Sequence, residues 1–215
     1  MAGLAVILIS VIVAVFCYFI APDPSPYSNR IILETGGEKP GFTKQFIQIK
    51  KENEPRRVSF FKRLISGQPD TYNYIPVNKY EMTGDSLIAD VYIDETVSER
   101  TGFAKTVLAA DPVVTNTYWL GTDSYGRDIL SRLIVGTRVS LSVGLITVII
   151  SVSIGLILGS LAGFYRGRID DLIMWFINVI WSIPTLLLVF AITLALGKGF
   201  WQVFVAVGLT MWVNV

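Results

Sequence analysis

The sequence has no histidine and a single cysteine, Cys17. Without histidine the chain lacks the commonest general base and the commonest metal ligand. One thiol cannot close an intrachain disulfide, so cysteine usage leaves the compartment open. Charge is equally sparing: 18 Lys and Arg face 17 Asp and Glu, and a net charge of +1 gives no electrostatic reason to expect nucleic acid as a partner. A Gly-x-x-x-x-Gly-Lys-Ser/Thr phosphate cradle is also missing, which excludes the usual ATPase loop. These absences leave no catalytic residue, no metal ligand set and no cofactor to assign.

Apolar side chains are abundant instead. Hydrophobic residues make up 52% of the chain, and the mean hydropathy is +0.56, values of the membrane class rather than of a soluble domain. Three apolar runs, residues 1–21, 139–164 and 172–196, are each long enough to cross about 30 Å of hydrocarbon as helices. A fourth, residues 200–215, carries no charged side chain and falls roughly one turn short of a span of about 20 residues. The fold class this predicts is an α-helical integral membrane protein with three full transmembrane helices and a partial fourth.

The first run reads as a retained anchor. It has no basic flank, and it exceeds the roughly 7–15 apolar residues of a signal-peptide core; cleavage is the alternative. Phe16 before Cys17 argues against a lipoprotein cleavage site, which wants a small residue there. Orientation follows from basic residues in short loops, because long loops cross membranes largely regardless of charge. Arg166 and Arg168 lie in the short turn 166–171, whereas the turn after the third run holds only Lys198. The first of these turns is therefore cytoplasmic. Residues 22–138 then lie outside, although they hold all the Lys and Arg except Arg166, Arg168 and Lys198.

The outer segment 22–117 reads as a small α/β domain inserted between the first two helices. Leu87, Ala89, Val91 and Ile93 alternate with more polar positions from Ser86 to Asp94, the period-two pattern of a half-buried strand. Residues 46–50 form a shorter candidate strand. Residues 58–65 read as a helix with Phe60, Phe61, Leu64 and Ile65 on one side. Gly-containing turns at 36–37, 67–70 and 83–85 separate these pieces. A structural or docking role is the plainest reading of this segment.

The densest pattern lies in residues 118–138. Gly121, Thr122, Asp123, Gly126, Arg127 and Asp128 form a turn in which the glycines allow tight geometry and Asp123 can bond back to nearby amides. Ile129, Leu130, Leu133 and Ile134 then share one helical face, flanked by Arg127, Ser131, Arg132 and Arg138, as an interfacial lead-in to the membrane would. The fixed positions of this turn resemble the Gly-Thr-Asp-x-x-Gly-Arg-Asp motif of the inner-membrane permease subunits of ABC importers for dipeptides, oligopeptides and nickel. The similarity continues through Ser131-Arg132-Leu133, Gly136 to Leu141, Gly155 to Tyr165, and Asp170-Asp171 to Pro184. It covers a little under half of the chain, and residues 22–117 match no pattern of that family.

The resemblance implies a multi-pass protein of the cytoplasmic membrane, half of a translocation pore. Its implied partners are a second permease subunit, two cytoplasmic ATPase subunits and an extracytoplasmic substrate-binding protein. ATP chemistry would belong to the ATPases, and this chain would be no enzyme. The family's coupling loop, with its Glu-Ala-Ala signature, follows the fourth helix, so the sequence is expected to stop short of it. Within the runs, Ser151, Gly155, Gly159 and Gly163 recur every four residues, a spacing that lets helices pack closely; pore lining is the alternative. Asn178 and Pro184 are the polar and helix-breaking positions of the third run, candidates for pore or gate as well as for plain packing. Asp170 and Asp171 complement a helix N-terminus and need no further role. A membrane-tethered extracytoplasmic binding or scaffold module is the second reading of the whole chain.

Overall fold

Alternating apolar positions in the outer segment build a five-stranded antiparallel sheet. A computed structural model describes residues 1–52, 55, 58–94, 96–197 and 199–215. Lys198, the lone basic residue of the loop after the third run, lies outside the described residues. The chain divides into two units, Met1–Arg138 and Val139–Val215.

In the first unit the strands are β1 (Phe42–Lys50), β2 (Tyr72–Thr83), β3 (Ser86–Tyr92), β4 (Ser98–Ala104) and β5 (Leu108–Tyr118). Their spatial order is β4-β3-β2-β1-β5, so the last strand returns to lie beside the first. Adjacent residues in a strand face opposite sides, and both Phe46 and Ile47 are fully buried. The sheet is therefore covered on both faces at β1. On one face Ile47 joins Val77, Leu87, Ala89 and Leu108, residues of four strands. The pairing register shifts between Ile47 and Ile49 and between Val77 and Lys79. On the other face Phe46 packs with Tyr118 and with Ile32 from the preceding loop.

The strand expected around Leu87 is β3, with Leu87 and Ala89 inward, and Ile93 falls past its end, 44% exposed. The short strand 46–50 is the second half of the longer β1. The helix expected at 58–65 is α3 (Phe60–Ser66), preceded by α1 (Ala2–Val15) and α2 (Cys17–Ile20). Its shared apolar face stays largely open: Phe61 and Ile65 are exposed, while Phe60 stacks near Phe19 at 5.3 Å. The segment thus combines a five-stranded sheet with, among the described residues, the short helix α3. The first apolar run is interrupted at Phe16, where α1 ends.

Four further helices follow: α4 (Ile129–Tyr165), α5 (Arg168–Trp181), α6 (Thr185–Leu196) and α7 (Phe200–Met211). The interfacial helix and the second span expected from the sequence are one uninterrupted helix, α4, which among the described residues is the single helix long and apolar enough to cross a bilayer. The third expected span is two helices bent by 96° across Ser182 to Pro184; counting the pair as one gives two such spans among the described residues. Proline has no N–H to continue the ladder and restricts the residue before it, which accounts for the break. Asp170 and Asp171 sit in the first turn of α5. In the second unit α6 lies beside α7, and Phe176 of α5 stacks on Trp212 at 6.1 Å.

Candidate functional site

The turn at residues 121–128 folds back on the loop that follows α2. Gly121 and Gly126 have φ of 76° and 72°, in the left-handed region that favours glycine. The space demands glycine as well: a Cβ on Gly126 would run into the carbonyl oxygen of Ile32, and one on Gly121 into that of Glu38. The opposing loop reads the turn through its backbone. Ile32 N–H donates to the Tyr125 carbonyl at 3.2 Å, Gly37 N–H to Asp123 at 2.9 Å, and Thr122 N–H to Glu38 at 3.1 Å. The Thr122 hydroxyl accepts from the Glu38 amide at 2.9 Å and donates to the Thr35 carbonyl.

Two carboxylates close the turn. Asp123 accepts from the amides of Tyr125 and Arg127 at 2.9 and 3.1 Å and from Arg127 Nε at 2.8 Å, while Arg132 lies 3.7 Å away. Its partial burial alone would raise the carboxyl; the Arg127 side chain and the two amides outweigh this and hold it below its ordinary value. Arg127 also reaches Asn29 Oδ1 at 3.0 Å. Asp128 caps α4, accepting at Oδ2 from the Ser131 amide at 3.0 Å and from the Ser131 hydroxyl. Ser131 Oγ in turn accepts from the Asp23 amide at 2.8 Å, which ties the start of α4 to the loop after the first helix.

Ile129, Leu130 and Ile134, of the apolar face expected at the membrane boundary, are half-buried along the first turns of α4. Asp128, Ser131 and Val135 are buried, and Leu133 is 58% exposed. The hydrogen-bonded pair Asp128–Ser131 and the packing of Val135 on Cys17 and Tyr18 decide the orientation.

Behind the turn is a cavity of about 290 Å³, lined among others by Asp23, Arg30, Asn116, Tyr118, Trp119 and Asp128. Asp23 is saturated by the Ser25 amide and hydroxyl and the Arg30 amide at 2.9–3.2 Å. Arg30 forks onto Asp70 and lies 4.1 Å over the Tyr74 ring. Burial would lower the Arg30 guanidinium, yet Asp70 and Asp23 raise it further above its ordinary value. Burial pushes the Tyr118 phenol up to about 12. Asp128 Oδ1 is buried and has no hydrogen-bond partner among the described residues. Asp23, Arg30, Asp70 and Ser131 escaped the sequence reading as site residues; the Asp23-x-Ser25 spacing, typical of a self-bonded turn, is the one local signal for them.

The other candidates lie in the second unit. Ser151 Oγ donates to the Gly208 carbonyl of α7 at 3.2 Å, and a Cβ on Gly155 would come within 2.6 Å of Val215. Gly159 and Gly163 face open space. The Asn178 carbonyl accepts from the Ser182 amide and hydroxyl at 3.0 and 2.8 Å, and Pro184 stands at the 96° bend. Among the described residues no group of three or more Cys, Asp or Glu is placed to hold a metal ion.

A helix of 37 residues, apolar and only 11% buried over its most hydrophobic window, is of the length and composition of integral membrane proteins. Within that class, the chain's relatives are permease proteins of peptide and glutathione transport systems, as the motif at residues 121–128 led one to expect. The chain is 37% identical over 108 residues to the oligopeptide transport system permease protein OppC of Bacillus subtilis, covering 50% of this chain and 35% of that one. It is 45% identical over 92 residues to the glutathione transport system permease protein GsiD of Pectobacterium atrosepticum, 43% of this chain and 31% of that one. With the dipeptide transport system permease protein DppC of Bacillus subtilis it shares 28% identity over 174 residues, 79% of this chain and 54% of that one. The chain thus spans from about a third to about half of the length of these relatives. No protein-family model matches it.

Proposed function

We propose that the chain acts as a transmembrane permease subunit of an ATP-driven ABC importer, contributing to one half of the translocation pore for peptides or similar small solutes. The similarity to oligopeptide, dipeptide and glutathione permease proteins carries this reading. The partners it calls for are a second permease subunit, two cytoplasmic ATPase subunits and an extracytoplasmic substrate-binding protein, in the inner membrane. In this reading residues 22–138 are extracytoplasmic. The chain crosses the bilayer through the first apolar run, residues 1–21, through α4 and through the bent α5–α6 pair, with α7 as part of a fourth segment.

Mechanistically, ATP-driven closure of the ATPases rocks the permease halves between outward and inward access. Ser151 and Gly155 serve helix contact, where small residues permit close approach. Asn178 and Pro184 are the candidates for a gate, because a bend of 96° offers a place where a helix can pivot. Affinity purification of the tagged chain from its native cells in mild detergent tests the assignment. Co-recovery of a second permease and of ATPases is the expected result. Recovery of extracytoplasmic proteins alone would instead favour a membrane-tethered binding module, a reading that the separately cored sheet supports.

A further inference from the structure

Helix α3 gathers Phe60, Phe61, Leu64 and Ile65 on one side and turns an exposed Lys62 the other way. Leu64 is half-buried, but Phe60 is exposed, as are Phe61 at 73% and Ile65 at 64%. Single exposed apolar residues are ordinary, whereas a contiguous group marks a surface that something covers. Here the rings form a chain: Phe61 meets Phe60 edge-on at 5.7 Å, and Phe60 meets Phe19 of α2 at 5.3 Å. Ile65 stands one turn after Phe61 and lengthens the strip. At the other end Phe16, one turn before Phe19 and also exposed, carries it into the first apolar run. Four contacts hold α3 there. The Leu64 carbonyl accepts from the Arg138 guanidinium, and the Gln68 amide donates to the Pro24 carbonyl at 2.8 Å. A Cβ on Gly67 would meet the Tyr18 ring at 3.0 Å, and the Arg63 guanidinium lies 4.6 Å over the Phe19 ring. Phe19 and Pro24 bracket the end of the run 1–21, and Arg138 stands directly before the run 139–164. The strip is thus pinned where two candidate spans end.

We infer that α3 is a lipid-binding element: it lies in the headgroup boundary of the leaflet on the side of residues 22–138, with Phe60, Phe61 and Ile65 among phospholipid acyl chains. Two observations favour lipid over a protein as the occupant. The strip is continuous, ring to ring, with the surface of the run read as a span, so lipid that surrounds the run reaches the strip as well. Lys62 also places a cation on the polar side of the helix, as short interfacial helices do against headgroup phosphate. The inference rests on the reading of residues 1–21 as a membrane span.

The test uses the full chain, purified and placed in phosphatidylcholine nanodiscs without any other transporter subunit. Bimane is attached at Phe61→Cys; the native Cys17 is fully buried and takes no label. Phosphatidylcholine carrying a nitroxide near the carbonyl end of an acyl chain should quench this bimane, and more strongly than a nitroxide near the terminal methyl. Bimane at Asp85→Cys, in the turn between β2 and β3, should keep its emission with both lipids. Should Phe61→Cys fail to fold, Ile65→Cys reads the same strip. A Leu8→Cys label, near the middle of the first run, separates this inference from the one beneath it, because the terminal-methyl nitroxide should quench it most. Quenching at position 8 with full emission at 61 and 65 would overturn the lipid contact alone and leave the strip to a protein. Full emission at position 8 would overturn the span itself, and the placement of α3 with it.

Discussion

Asp123 and Asp128 stand five residues apart in one turn and use their carboxylates differently. Both oxygens of Asp123 are engaged, by two amides and the Arg127 fork, and its carboxyl titrates below the ordinary 3.8. A depressed folded pKa adds stability that is complete above the ordinary value and drains away as pH falls through the folded one. The turn should therefore hold unchanged from neutrality down to about pH 4 and loosen only below it. Amide hydrogen exchange at Tyr125 and Arg127 across that range measures this, and Asp123→Asn should flatten the pH dependence. Loss of protection already at pH 6 would refute it. The residues of this turn were legible in the sequence because they are short-range: glycines at fixed offsets and an Asp that reaches its own downstream amides. Their partners at Ile32, Thr35 and Glu38 were not, since a backbone carbonyl that receives a turn leaves no mark in residue type.

At the scale of elements, sequence patterns succeeded where burial is one-sided and local. Leu87 and Ala89 alternate with half-exposed neighbours, so β3 was visible, and the apolar run 139–164 marked most of α4, though not that the helix begins at Ile129. The β5–β1 pairing was not, because it depends on a return across the sheet, and neither was the buried Asp128–Ser131 pair at the start of α4. The break in the third apolar run falls at Pro184, a helix-breaking position by residue type although hydropathy runs straight through it. Replacing Pro184 with alanine restores an N–H and removes the ring clash, a change of about 3 kcal/mol or more in a helix interior. Spin labels at positions 175 and 194 in detergent should then report a longer mean distance by pulsed electron resonance, as the 96° bend opens. An unchanged distance would mean that packing against neighbouring helices, rather than Pro184, sets the bend.

For the molecule as a whole, the topology argued from Arg166 and Arg168 makes one outward prediction. Asp85 lies in the two-residue turn between β2 and β3, and the only native thiol, Cys17, is fully buried. An Asp85→Cys variant should react with a membrane-impermeant maleimide on intact cells. Labelling confined to lysed cells would reverse the orientation of residues 22–138. The strand order β4-β3-β2-β1-β5 also has a consequence for biosynthesis. While β1 to β4 leave the ribosome, the free edge of β1 has no neighbour, and it gains one only when residues 108–118 emerge. The seal of the Asp23 loop onto Ser131 waits longer still, for a partner 108 residues downstream. Loop closures of that length are slow, and an unpaired edge invites pairing with other chains. The interval between synthesis of β1 and of β5 is thus the period in which a nascent chain is most exposed to misassembly.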